Sequence, residues 1–467
     1  MDKKEKKKQE QTEKKSLEKQ SLGKFKKLGV PVLAIIDNIV VTKTGLWAYY
    51  VISEKPYQTM STQGKISFSN GTTQALSSLV KNNTDIIDCH ILMTNIPYDI
   101  KSWAEEVRLQ QEFWNDTKNQ AFEDFIQEQK EDLLEQYYEK RLTLLGVKID
   151  DRTFKINSST LFENSFKDII EILKKGISSV FQVMDEHVSA QEEAKVRKKE
   201  DILWKTLSAT SLDIRKPSAQ ELLLSLKRRF YPSMPSPHLE IDHDNRIGLS
   251  DIAIETGGVL RQQKRKLEFE HDINGVEHQS YSTVLTVAQL PPILVSPSTL
   301  PVLFNNQYVD NFTISMKFKM LPSEVMKKKT KRKQQDFNDE VENFTKANQR
   351  ITPALKETIR DLSTLEEVLE EDNTPWVEGT YQIILDAPTE DLLATFVEEV
   401  KNYYKSFDVV LVRQTGIQLK LFLESLLGSE LLESAFTHIT TLNFVGTSGF
   451  NHGNTLGDPI KQDDKLR

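Results

Sequence analysis

Residues 30–52 alternate between short apolar runs and small polar interruptions. Val32-Leu33-Ala34-Ile35-Ile36 and Ile39-Val40-Val41 flank Asp37-Asn38, and Leu46 to Ile52 is aromatic and β-branched. This pattern predicts a strand, a tight turn and two further strands. Thr84 to Leu92 ends in another short strand, and Pro97-Tyr98-Asp99 is placed to open a helix. Between Ser102 and Leu145, the residues Trp103, Val107, Trp114, Phe122, Phe125, Leu133, Tyr137 and Leu142 recur at spacings that fit one apolar stripe. That stripe predicts a long helix packed on its own sheet. Leu161–Val183 and Ser218–Phe230 give further amphipathic helices, and Pro232, Pro235 and Pro237 then break the pattern and mark a boundary.

A second block repeats the mixture. Val284 to Leu290 and Phe312 to Phe318 read as strands, and Val325 to Leu369 as a long charged helical hairpin. Tyr381 to Leu385, Val409 to Val412 and Leu419 to Leu423 read as strands or short helices around a helix at Glu390–Ser406, which Asp386 or Thr389 caps. Strands and helices come in blocks and not in strict βαβ alternation, so the expected class is α+β, two α/β blocks with mixed sheets and long amphipathic helices. The expected organisation is a disordered Lys-rich tail at 1–27, a first block at 28–236, a second at 237–450 and a linker at 451–467. A weak internal echo, strand then proline turn then helix, links His90–Val107 with Gln382–Val400.

Composition narrows the class. The 467 residues carry 61 Lys+Arg against 69 Asp+Glu, a formal charge of −8, with 38 % apolar residues. That is enough for a sizeable core and argues against a fully disordered chain. The single cysteine, Cys89, excludes a disulfide framework and any zinc site built on two thiolates. No apolar run approaches the roughly 18 residues that span a bilayer, so membrane association is expected to be peripheral.

Catalytic motifs fail one by one. Gly23-Lys24-Phe25 and Gly64-Lys65-Ile66 lack the Ser/Thr and upstream glycine of a phosphate-binding loop. Ile383-Ile384-Leu385-Asp386 has the form of a strand whose terminal acid holds magnesium, yet no phosphate loop accompanies it. His238, Glu240, Asp242 and Asp244 could share one side of a strand, but they follow three prolines and lack helical His spacing, so a polar loop is preferred. Gly446-Thr447-Ser448-Gly449 misses a hydrolase elbow by one position, and Cys89 beside His90 reads as a buried small hydrophobe. The residues offer no catalytic, nucleotide-binding or metal site. What remains is charge: Lys327, Lys328, Lys329, Lys331, Arg332 and Lys333 crowd into seven positions. Such a patch fits an anionic membrane surface or nucleic-acid phosphates, or simply a solvated helix tip.

The second half resembles the N-terminal region of the conjugation, or type IV secretion, motor ATPases (the fourth component of the VirB set and the TraE/TrsE class of Gram-positive plasmids). The resemblance runs from Thr380-Tyr381-Gln382-Ile383-Ile384-Leu385-Asp386-Ala387 through Leu392 and Tyr404 to Val409-Val410-Leu411-Val412-Arg413-Gln414. It continues over Gln418 to Gly428, where Leu427-Gly428 replaces the family's Pro-Gly. Looser matches are Gly45 to Tyr50, Glu139 to Val147 and Leu456-Gly457-Asp458-Pro459. The resemblance implies a truncated chain: a platform that docks the motor to the membrane channel and to neighbouring subunits. ATP and magnesium would belong to a missing C-terminal domain. Expected partners are type IV secretion channel proteins and further copies, with peripheral contact at the inner face of the cell membrane; direct DNA contact stays open. The alternative is a nucleic-acid-binding accessory protein of a mobile element that uses the lysine patches.

Overall fold

The computed structural model describes residues 30–80, 86–97, 107–108, 123–129, 139–151, 190–234, 246–248, 251–252, 258–273, 275–290, 312–346 and 375–453. The expected tail, the Leu161–Val183 helix, the His238–Asp244 segment, the second arm of the hairpin and Leu456–Pro459 lie outside the described residues.

In chain order, the strands begin with β1 (Val32–Ile36), β2 (Ile39–Thr42), β3 (Gly45–Ile52), β4 (Lys55–Pro56), β5 (Ile87–Pro97) and β6 (Glu139–Asp150). Two short strands, β7 (Ile214–Arg215) and β8 (Arg246–Ile247), precede β9 (Val259–Gln262), β10 (Leu267–Ile273), β11 (Val276–Gln289) and β12 (Phe312–Leu321). Last come β13 (Trp376–Ala387), β14 (Val410–Arg413), β15 (His438–Thr441) and β16 (His452–Gly453). The helices are α1 (Thr62–Ser77), α2 (Ala190–Ser208), α3 (Ala219–Phe230), α4 (Ser323–Lys346), α5 (Glu390–Lys405), α6 (Gln418–Glu424) and α7 (Leu442–Thr447).

Fourteen strands form one sheet in the order β8-β1-β2-β3-β6-β5-β12-β13-β11-β10-β9, with β14 on β11, β15 on β13 and β7 on β3. The expected mixed sheets resolve into this antiparallel sheet and a small parallel pair, β4 with β16. Strands of both blocks share the large sheet, because β5 pairs with β12 from Ile87↔Met320 to Met93↔Ile314.

Alternation along each central strand sends side chains into two cores. On one face, Tyr50, Ile91, Leu145, Met316 and Ile383 pack beneath α1, α5 and α7, which contribute Leu76, Val397, Tyr404 and Val445. On the other, Tyr49, Leu92, Leu144, Val284 and Ile384 lie beneath α3 and α6, which contribute Leu222, Leu226, Leu419 and Phe422. The capping box of α3, with Ser218 and Glu221 bonding reciprocally, fixes where that helix starts over the sheet. Thr389 caps α5, as its sequence position suggested, whereas Asp386 turns inward toward α3.

The expected helix from Ser102 to Leu145 does not extend that far. Residues 123–129 are helical, but Glu139–Asp150 is the strand β6, held between β3 and β5. Leu142 and Leu144 enter one core, Leu145 and Val147 the other, so the strand has no polar face to reveal its period. Gly146 is required there, since a Cβ would sit 2.5 Å from the Tyr49 ring.

Candidate functional site

Beneath α3 and α6 the sheet surface is not uniformly apolar. Thr313, Ser315 and Lys317 alternate along β12, and Thr380, Gln382 and Asp386 share that face of β13; all are buried. Helix α6 and the loop after it are fastened to this strip at both ends. At its start, Gln418 Oε1 accepts from the Val284 amide at 2.7 Å and the Thr283 hydroxyl at 3.2 Å, while Nε2 donates to the Val284 carbonyl at 3.1 Å. At its end, Glu424 Oε1 accepts from Gln382 Nε2 at 2.8 Å and Thr380 Oγ1 at 3.1 Å. Its other oxygen accepts the amides of Leu432 at 3.0 Å and Glu433 at 2.9 Å.

Lys317 completes the clamp. Its ammonium donates to the Ser429 carbonyl at 2.5 Å, to the Leu426 carbonyl at 3.3 Å and to the Ser429 hydroxyl. Burial lowers its pKa to about 7, with the charge of Glu424 opposing the shift. Burial raises the carboxyl of Glu424, and Lys317 pulls it back. A fourth anchor runs through Tyr49, whose hydroxyl accepts the Gly428 amide at 2.7 Å and lies 3.1 Å from His90 Nδ1. The opposite ring nitrogen, Nε2, lies 3.0 Å from Ser315 Oγ, so the imidazole bridges the Tyr49 and Ser315 hydroxyls. Desolvation and the nearby Lys317 keep His90 neutral, well below its ordinary pKa. Gly428 has φ of 62°, and a Cβ there would stand 2.4 Å from Thr42 Cγ2, so the turn needs glycine.

This chemistry is cohesive. Each charged atom of Lys317 and Glu424 is directed at backbone, side-chain amide or hydroxyl groups of the same chain, and the segment Gln418–Ser429 is thereby tied to β11, β13, β12 and β3. Nearby, Arg229 of α3 reaches Asp386 at 3.3 Å and Thr313 Oγ1 at 3.2 Å. No described group of three or more His, Cys, Asp or Glu is arranged to hold a metal ion. Cys89 is buried and its thiol is pushed up by desolvation. Among the described residues, no helix is long and apolar enough to cross a membrane.

The sequence-derived cationic patch lies elsewhere, on the first half of α4. Lys327 is half-buried, 3.7 Å from Glu324, and Lys329 pairs with Glu378 of β13. Lys328, Lys331 and Arg332 are exposed, and the side chain of Lys333 is outside what is described. Sequence reasoning missed Lys317 and Glu424. A usable signal was present: Thr313, Ser315 and Lys317 interrupt an otherwise apolar strand at every second position, which marks one polar face.

A protein-family model described as TraC protein matches residues 180–426, more than half of the chain. The span contains Arg229, Lys317, Asp386, Gln418 and Glu424. No curated protein matches the chain.

Proposed function

The chain belongs to the TraC protein family, a component of conjugative transfer by type IV secretion, and from that premise we propose that it is the docking platform of the transfer motor. In this reading it sits in the cytoplasm at the inner face of the cell membrane, touches channel proteins and neighbouring subunits, and does not itself hydrolyse ATP. Nucleotide and magnesium belong to a separate motor domain.

The observation that carries the reading is the α6 clamp. Buried ionisable groups in enzymes are aimed at a place where substrate can sit. Here Lys317, Glu424 and His90 are aimed at protein atoms, and their effect is to make α6 and the following loop rigid with the sheet. A body of that kind transmits displacement between surfaces, which is what a docking platform needs. A nucleic-acid role would rest on Lys328, Lys331 and Arg332, yet Asp336 and Asp339 follow on the same helix and repel phosphate.

The test is to mix the purified chain with the inner-membrane channel proteins of its transfer system and, separately, with magnesium and ATP. Stable complex formation without nucleotide turnover is the expected outcome. Turnover by the chain alone, or DNA affinity that falls steeply with salt in place of channel binding, would overturn it.

A further inference from the structure

The buried polar strip has a second cluster, apart from the α6 clamp, where α3 crosses β11 and β13. Arg229 of α3 bonds through Nη1 alone, to Thr313 Oγ1 and to Asp386 Oδ2. Among the described residues its Nε and Nη2 have no hydrogen-bond partner, and neither does Asp386 Oδ1. The hydroxyls of Ser280 and Ser282 on β11 are also without a partner.

Register brings these atoms together. Ser282 stands directly opposite Asp386 across β11 and β13, and Ser280 follows two positions along on the same face. The residues paired with the two serines on β10, Leu267 and Phe269, belong to the core beneath α3 and α6, so both serines lie on the side that Arg229 covers. Phe422 joins the two parts: the Arg229 guanidinium carbon is 5.5 Å from its ring centre, and the Phe269 ring is 5.7 Å away. All four side chains are shut off from solvent, with Arg229 at 2 % exposure, Asp386 at 5 % and both serines at 0 %.

Leaving a buried polar atom unbonded is costly, and a group of them in one place requires a common partner. Its chemistry is set by the atoms that face it. Arg229 only donates, Asp386 Oδ1 only accepts, and each serine hydroxyl can do either. A bare anion would be repelled by Asp386 and a bare cation by Arg229, so the partner is neutral and both accepts and donates. Because the side chains around it are closed to solvent, it is also small.

We propose that this site holds ordered water. At least one molecule accepts from Arg229 Nε or Nη2 and donates to Asp386 Oδ1, and the serine hydroxyls complete its bonds. Helix α3 is then joined to β11 through water, whereas α6 is tied to the same strand by direct bonds from Gln418. The inference is independent of the docking reading and holds whether or not channel proteins bind.

A crystal structure of the full chain, at a resolution that shows ordered solvent, tests it directly. Density for water is expected within hydrogen-bond distance of both the Arg229 guanidinium and Asp386 Oδ1. Magnetic relaxation dispersion of the water oxygen nucleus then counts long-lived internal waters in solution. The paired change Arg229→Met with Asp386→Leu replaces both charges by apolar chains of similar size and should lower that count by at least one molecule. Ser282→Val, which keeps the ion pair and puts methyl groups in place of the hydroxyl, should lower it too. An empty site in the crystal, a bromide ion found there after a soak, or an unchanged count in the folded variants would overturn the proposal.

Discussion

The two faces of the sheet are held by different physics. Under α1, α5 and α7 the contact is apolar, with Leu385, Val397, Val400 and Leu411 excluding water by shape. Beneath α3 and α6 a polar strip runs through the core, and directed bonds from Lys317, Glu424, Gln418 and Tyr49 fix one arrangement of the loop. The first kind of contact tolerates repacking; the second is strong only while all its members are present. The second kind holds the loop after α6 in one place.

The sharpest way to break the contrast is to remove one member of the clamp. Glu424→Ala leaves Lys317 without its opposing charge and frees two loop amides, so stability should fall by about 3–5 kcal/mol in denaturant titration. On the apolar face, Leu385→Ala opens a cavity and should cost about 2–4 kcal/mol, with no change in pH dependence. Gly428→Ala forces a left-handed residue against Thr42, for which about 1–3 kcal/mol is expected from the same titration. Thr389→Ala removes only the α5 cap and should cost about 1 kcal/mol.

A pH series separates the faces without relying on cavity size. Lys317 is held below its unfolded value of 10.5, at about 7, so between those values the unfolded chain binds more protons than the folded one. Stability from this group therefore rises as pH rises through that window. Between about pH 7 and pH 9.5, Lys317→Met should flatten the slope, while Leu385→Ala should keep it. Equal slopes in the two variants would place the titrating group elsewhere.

The N-terminal strands were legible because Asp37-Asn38 and the β-branched runs around it carry both turn and period. Strand β6 was not, because its apolar residues serve both faces, so that Leu142, Leu144, Leu145 and Val147 carry no period-two alternation of apolar and polar positions. The five residues Leu419–Leu423 left strand and helix open, and the structure settles them as α6; so short an apolar run has no period of its own. The meeting of Lys317 with Ser429 and of Tyr49 with Gly428 joins positions 112 and 379 residues apart, and no local pattern specifies such contacts. The basic run on α4 was visible as charge, and the structure leaves Lys328, Lys331 and Arg332 of it exposed while Lys329 pairs with Glu378.

In the proposed reading this chain acts through the surfaces its clamped sheet presents. The most direct measurement is the binding of the purified chain to its channel proteins, with phosphate release followed in the same sample after ATP and magnesium are added. Saturable binding is expected, with phosphate release no faster than in buffer. Phosphate release that scales with the concentration of the chain would contradict it.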